Sequence, residues 1–146
     1  KLKLLTIVGL VVAFCVIFFV TVKNINTDII KYEKDIQLFV KLEEKALGIY
    51  RLPETATDQE ILIEIQKNGI KNWKECLVLI EKIDTYDLPE LVHLRNKKLL
   101  KYCQLRIKSY SAIQKAILEQ TDMYDNEINI YNLEIEKIIN ELTNAK

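Results

Sequence analysis

Two kinds of hydrophobic pattern divide the chain. The first is unbroken: Leu4 to Val22, LLTIVGLVVAFCVIFFVTV, carries no charged residue. As a helix it would be ~28 Å long, close to the hydrocarbon thickness of a bilayer. A secretory signal would have a shorter apolar core and a small-residue cleavage site, and Thr21-Val22-Lys23-Asn24 is not one. A buried core helix this uniformly apolar would need protein on every side. Residues 1–23 are therefore expected to form a transmembrane helix.

The second pattern is periodic. Ile25, Ile29, Tyr32, Ile36, Phe39, Glu43, Ala46 and Tyr50 step by three or four, and only Glu43 is neither apolar nor aromatic. This predicts a helix over residues 24–52, read most simply as a stalk continuing the membrane helix outward. Gly48 weakens its end, Leu52-Pro53 stops it, and residues 51–56 form a short linker. Thr57-Asp58-Gln59-Glu60 has the form of a capping box. Ile61 to Ile65 could also be a strand, but a lone strand has no partner, so a helix is expected. Asn68-Gly69 suggests a left-handed stop, and a second helix follows from about Ile70 to Asp84. Its apolar face is Trp73, Cys76, Leu77, Ile80 and Ile83, with Trp73 the expected core anchor.

Asp87-Leu88-Pro89-Glu90 starts the last helical segment, and neither Gly nor Pro recurs before Lys146. One apolar row is Leu100, Ile107, Gln114, Thr121, Ile128, Ile135 and Leu142. Its neighbour is Cys103, Tyr110, Ile117, Tyr124, Tyr131 and Ile138. Together they make one stripe on one helix or on two helices set end to end; unbroken, it would be ~80 Å long. Thr121-Asp122 is where a bend would fall. The helix at 70–84 should fold back antiparallel on the start of the long helix, because the loop between them is short. Asp122 to Leu142 then needs the 25–50 stalk or a second copy of the chain as cover, with Tyr124 and Tyr131 in that seam. The predicted fold is all-α: a transmembrane helix at 1–23, a stalk at 24–52, and a helical hairpin or bundle at 53–146 built on a long helix from about 89.

At 146 residues with zero formal net charge, the chain as a whole has no electrostatic pull toward nucleic acid. The charge is uneven, however. Residues 89–121 hold seven bases and two acids, residues 51–88 five bases and eight acids, and residues 122–146 two bases and six acids. The run from Arg95 to Lys115 has apolar residues between its bases. It is read as packing beside the acidic 51–88 segment and solvated elsewhere, not as a nucleic-acid or headgroup patch. Lys23, Lys31 and Lys34 follow the apolar run while Lys1 and Lys3 precede it. By the positive-inside tendency this leans slightly toward a cytoplasmic C-terminal part. The chain begins with Lys and is expected to be processed or, more simply, a fragment.

Of three cysteines, Cys15 lies in the apolar run, and Cys76 and Cys103 lie in apolar helical contexts. No Cys/His metal spacing occurs. A Cys76–Cys103 bridge would require an oxidising compartment. The one histidine, His93, has no clustered carboxylate or thiol partner in sequence. Ser109 and Ser111 flank Tyr110 inside a helix, not on an exposing turn. The three glycines are isolated, so there is no phosphate loop, and Glu134 and Glu136 fall on different helix faces. No catalytic residue, cofactor-binding residue or metal ligand is assigned.

GIYRLPETATDQEILIEIQKNGIKNWKECLVLIEKID (48–84) and LPELVHLRNKKLLKYCQLRIKSYSAIQKAILEQTDMYDNEINIYNLEIEKIINEL (88–142) resemble the C-terminal extension of some bacterial rhomboid-family intramembrane serine proteases. In that family a final transmembrane helix leads into a helical domain of this kind. The resemblance touches only the non-catalytic tail: the family's Ser in G-x-S-G and its His on a later span match nothing here, and His93 does not take that role. It implies a parent endopeptidase whose chemistry lies upstream, with this chain as its last span and accessory domain. The expected function is thus a non-catalytic, membrane-anchored accessory or interaction domain. The alternative is a free-standing single-span protein that self-associates or binds a partner through its long helix. The expected partners are the lipid bilayer and a second protein or second copy, without nucleic acid.

Overall fold

The computed structural model describes residues 27–144. The expected membrane helix at 1–23, with Cys15, lies outside them. The described chain is helical throughout and has no strand, as the periodicity predicts. Its elements are α1 (Thr27–Ala46), a 3-10 turn (Leu47–Arg51), α2 (Asp58–Glu64), a π turn (Ile65–Ile70), α3 (Lys71–Ile83), α4 (Glu90–Glu119) and α5 (Asp125–Asn144). No described helix is long and apolar enough to cross a membrane.

The capping box forms as read. The Thr57 hydroxyl accepts the Glu60 amide at 3.3 Å, and the Thr57 amide donates to the Glu60 carboxylate at 2.8 Å. Asn68-Gly69, by contrast, does not stop the helix: the chain passes through the π turn directly into α3. The glycine is needed for space, not for a left-handed backbone. A Cβ on Gly69 would lie 2.6 Å from two ring carbons of Tyr110, so the widened turn and the missing side chain together admit an α4 tyrosine.

The segment expected as a stalk is a wall of the bundle. Tyr32, Ile36, Phe39, Leu42 and Ala46 of α1 are buried in one continuous core with Trp73, Cys76, Ile80 and Ile83 of α3. The two helices run antiparallel along their length: Asp35 accepts from Lys82 at 2.8 Å and from Tyr86 at 2.6 Å, and Asp28 accepts the Asp87 amide at 3.0 Å. The physical reason is the α1 stripe itself. It matches the apolar face of α3, and leaving both exposed would cost more than ordering the linker between them. The core therefore crosses the boundary expected at residue 53. Trp73 is fully buried, as expected of a core anchor. The short α3–α4 loop sets those helices antiparallel, again as expected.

The long C-terminal stripe is divided. α4 ends at Glu119, Gln120 takes the left-handed conformation (φ 50°, ψ 48°), and the chain reverses into α5. The reversal is held by Thr121 donating to the Ala116 carbonyl at 3.1 Å and Asp125 to the Asp122 carbonyl at 3.0 Å. Cross-links between Lys98 and Glu141, Lys101 and Glu134, and Ser109 and Asn132 fix the antiparallel register. The break falls beside the expected bend, but it produces a hairpin, not two helices end to end. α5 covers its own stripe (Ile128, Ile135, Ile138, Leu142) against α4. The 25–50 segment does not provide that cover. Tyr124 and Tyr131 sit half-buried at the seam's edge, beside Lys115 and Lys108.

A left-handed non-glycine residue costs ~1 kcal/mol. Gln120→Gly should therefore stabilise the protein by ~0.5–1 kcal/mol, read as a higher urea midpoint at unchanged slope. An unchanged or lower midpoint would mean that Gln120 carries no strain.

Candidate functional site

The one polar residue in the α1 stripe, Glu43, marks a buried polar cluster where α1, α3 and α4 converge. Glu43 is 4% exposed and Arg106 6%. The Tyr102 hydroxyl donates to Glu43 Oε1 at 2.7 Å, and one turn along α4 Arg106 Nη1 donates to the Tyr50 hydroxyl at 2.7 Å. Tyr110, a further turn on, donates to the Ala46 carbonyl at 2.9 Å. The guanidinium carbon lies 5.2 Å from the Tyr102 ring centre, 5.4 Å from Tyr50 and 5.9 Å from Trp73. Trp73 meets Tyr102 edge to face at 5.2 Å. Helical spacing explains the grouping: Tyr102, Arg106 and Tyr110 are successive i, i+4 positions, so they stack on one side of α4.

Burial pushes the Glu43 carboxyl above its ordinary range, while the Tyr102 hydrogen bond and the Arg106 charge pull it back. Burial also opposes the charge on Arg106, but the surrounding tyrosines hold the guanidinium protonated. Burial raises Tyr102 well above the normal phenol, and Tyr110 likewise. Arg106 Nε has no hydrogen-bond acceptor among the described residues; the ring faces around it take that place through cation–π attraction. Chemically, the cluster is a carboxyl and a guanidinium linked through phenols. It holds no activated nucleophile, and its carboxyl and phenol hydroxyls are engaged in hydrogen bonds. What it can do is fix how α1 sits on α4.

The other residues weighed in the sequence are structural. His93 Nδ1 lies 2.8 Å from Asp84 Oδ1, with Asn96 donating to the same oxygen at 3.4 Å. The three brace the α3–α4 corner, and His93 holds the Asp84 carboxyl below its usual range. Ser109 is buried in the α4–α5 seam, bonded to Asn132 at 3.3 Å. Cys76 and Cys103 are free and buried. Among the described residues no group of three or more His, Cys, Asp or Glu could hold a metal ion. The basic run finds acidic partners in α5: Lys98 and Lys101 pair with Glu141 and Glu134, each at 3.0 Å. Exposed pairs of this kind set register more than stability. Sequence reasoning misses Tyr102 and Arg106. A cation on the Cys103–Tyr110 face of α4, answering a carboxylate in the α1 stripe, is the signal that could find them.

The chain matches no family model, no curated protein and no solved structure.

Glu43 provides a pH test. Its folded carboxyl binds a proton more tightly than the unfolded one, whose ordinary value is 4.5. The folded state therefore holds more protons above that pH, and the Glu43 contribution to stability falls as pH rises, levelling off past the folded value. Glu43→Gln keeps an acceptor for Tyr102 but cannot ionise. The stability of the parent minus that of Glu43→Gln, measured by urea unfolding across roughly pH 4 to 8, should decline with rising pH. A difference that stays flat would show that Glu43 does not titrate abnormally.

Proposed function

We propose that this chain is a non-catalytic helical accessory or interaction domain anchored in a bilayer by its N-terminal run, and that it forms the C-terminal part of a rhomboid-like intramembrane serine protease. The observation that carries the anchoring is the uncharged Leu4–Val22 run followed, after only Lys23 to Asn26, by a helix built into the protein core. About five residue steps reach at most ~17 Å. With the run in lipid, the bundle end formed by the start of α1 and the Thr85–Pro89 turn, tied by the Asp28–Asp87 hydrogen bond, would face the headgroups. Lys23, Lys31 and Lys34 after the run favour the cytoplasmic side for this domain. The protease assignment rests on the resemblance of residues 48–84 and 88–142, and it leaves the reaction to upstream residues. In that setting a bundle with an internally bonded core serves as a rigid platform for a substrate, a subunit or the catalytic core.

A second reading, a free-standing single-span protein that associates with a copy of itself or another protein, draws on α5. This helix packs on α4 alone among the described elements, and its Ile130 and Leu133 are 47% and 66% exposed.

The full chain should stay in the membrane fraction through an alkaline wash; recovery in the supernatant would reject the anchor in both readings. The gene upstream of Lys1 separates them. Several further spans with a G-x-S-G motif support the protease, and a start codon immediately before Lys1 rejects it.

A further inference from the structure

The α3–α4 seam brings two thiols together. Its antiparallel register sets Trp73 against Tyr102, with ring centres 5.2 Å apart, and Asp84 against His93 at 2.8 Å and Asn96 at 3.4 Å. In that register Cys76 falls opposite Cys103, at the centre of the seam. Both are fully buried and free. Cys76 Sγ is 3.9 Å from the Phe39 carbonyl, so its side chain is turned into the core and not along the helix surface. Hydrogen bonding between the two thiols, together with burial, pushes the Cys103 thiol far up. Facing positions on packed helices, with both thiols buried, place the pair where a bridge can close once the Cα and Cβ spacing falls in the disulfide range.

We propose that Cys76 and Cys103 are a preformed dithiol, closing to a disulfide across the α3–α4 seam by exchange with a low-molecular-weight disulfide. One cysteine loses its proton, and its sulfur attacks the external disulfide and expels one thiolate. The second cysteine, deprotonated in turn, attacks the mixed disulfide and expels the other. Two protein thiols and one external disulfide give one protein disulfide and two external thiols, a two-electron exchange. Because both sulfurs are buried and the Cys103 proton is held tightly, exchange runs while the seam is open, during folding or local unfolding. Once closed, the bridge locks Trp73, Tyr102 and the Glu43–Arg106 cluster at its flank. Its state follows the redox poise of the compartment that the domain faces. The proposal does not depend on the membrane anchor.

The test refolds the full chain from denaturant in oxidised or in reduced glutathione, blocks free thiols with an alkylating agent under denaturing conditions, and maps the peptides by mass spectrometry. In oxidised glutathione a peptide linking Cys76 to Cys103 should appear, lighter by two hydrogens than the reduced pair. Tm should rise by roughly 10 °C over the reduced protein. Cys103→Ser should abolish both the linked peptide and the rise. Should that variant fail to fold, the peptide map and melting curves of the parent decide alone. Alkylated or glutathionylated Cys76 and Cys103 after oxidative refolding, pairing of either with Cys15, or a lower Tm in the bridged protein would each overturn the proposal.

Discussion

The arrangement of this bundle depends on one buried polar cluster. Glu43 on α1 and Arg106 on α4 are both removed from water, and Tyr102 stands between them. Among the described residues no Cα atoms of α1 and α4 approach within 8 Å, so these helices meet through long side chains alone. α3 packs against both, and apolar contact with α3 would tolerate many rotations of α1 about its axis. The Tyr102–Glu43, Arg106–Tyr50 and Tyr110–Ala46 hydrogen bonds admit one. Burying an ion costs several kcal/mol unless it is paired and bonded, so an arrangement that separates Glu43 from Tyr102 and Arg106 is penalised. Specificity of packing, more than added stability, is what such a cluster supplies.

This bears on function through rigidity. The cluster gathers the end of α1, the middle of α4 and Trp73 of α3 into one polar and aromatic knot. At the opposite end of α1, the Asp28 and Asp35 contacts with the α3–α4 loop hold that helix's start in place. A domain braced at both ends is consistent with the rigid-platform role proposed for it. α5, supported by α4 alone, is the less constrained edge.

Much of the architecture is legible in the residues. Thr57 and Glu60 announce a helix start, Pro89 the start of another, and the Trp73–Ile83 face a core helix, because each signal is local. The failures are non-local. Gln120 gives no hint of a left-handed turn; the reversal there occurs because α5 gains more by covering its stripe on α4 than by extending into water. Gly69 reads as a helix stop in isolation and becomes a slot for Tyr110 only when α4 is in place. The 25–50 stripe is plain in the sequence, but its partner, α3, cannot be read from spacing. Glu43 stands out as the odd residue in that stripe; the identity of its counter-charge requires knowing that α1 and α4 run parallel.

The central claim is that Glu43 and Arg106 act as a pair. The most direct test is a double-mutant cycle of Glu43→Leu and Arg106→Met, followed by urea unfolding. Each single change strands a buried charge and should cost ~3–5 kcal/mol. The double variant should recover much of that loss, giving a coupling above ~1 kcal/mol. Strictly additive losses would contradict the account and leave the two residues as independent occupants of the core.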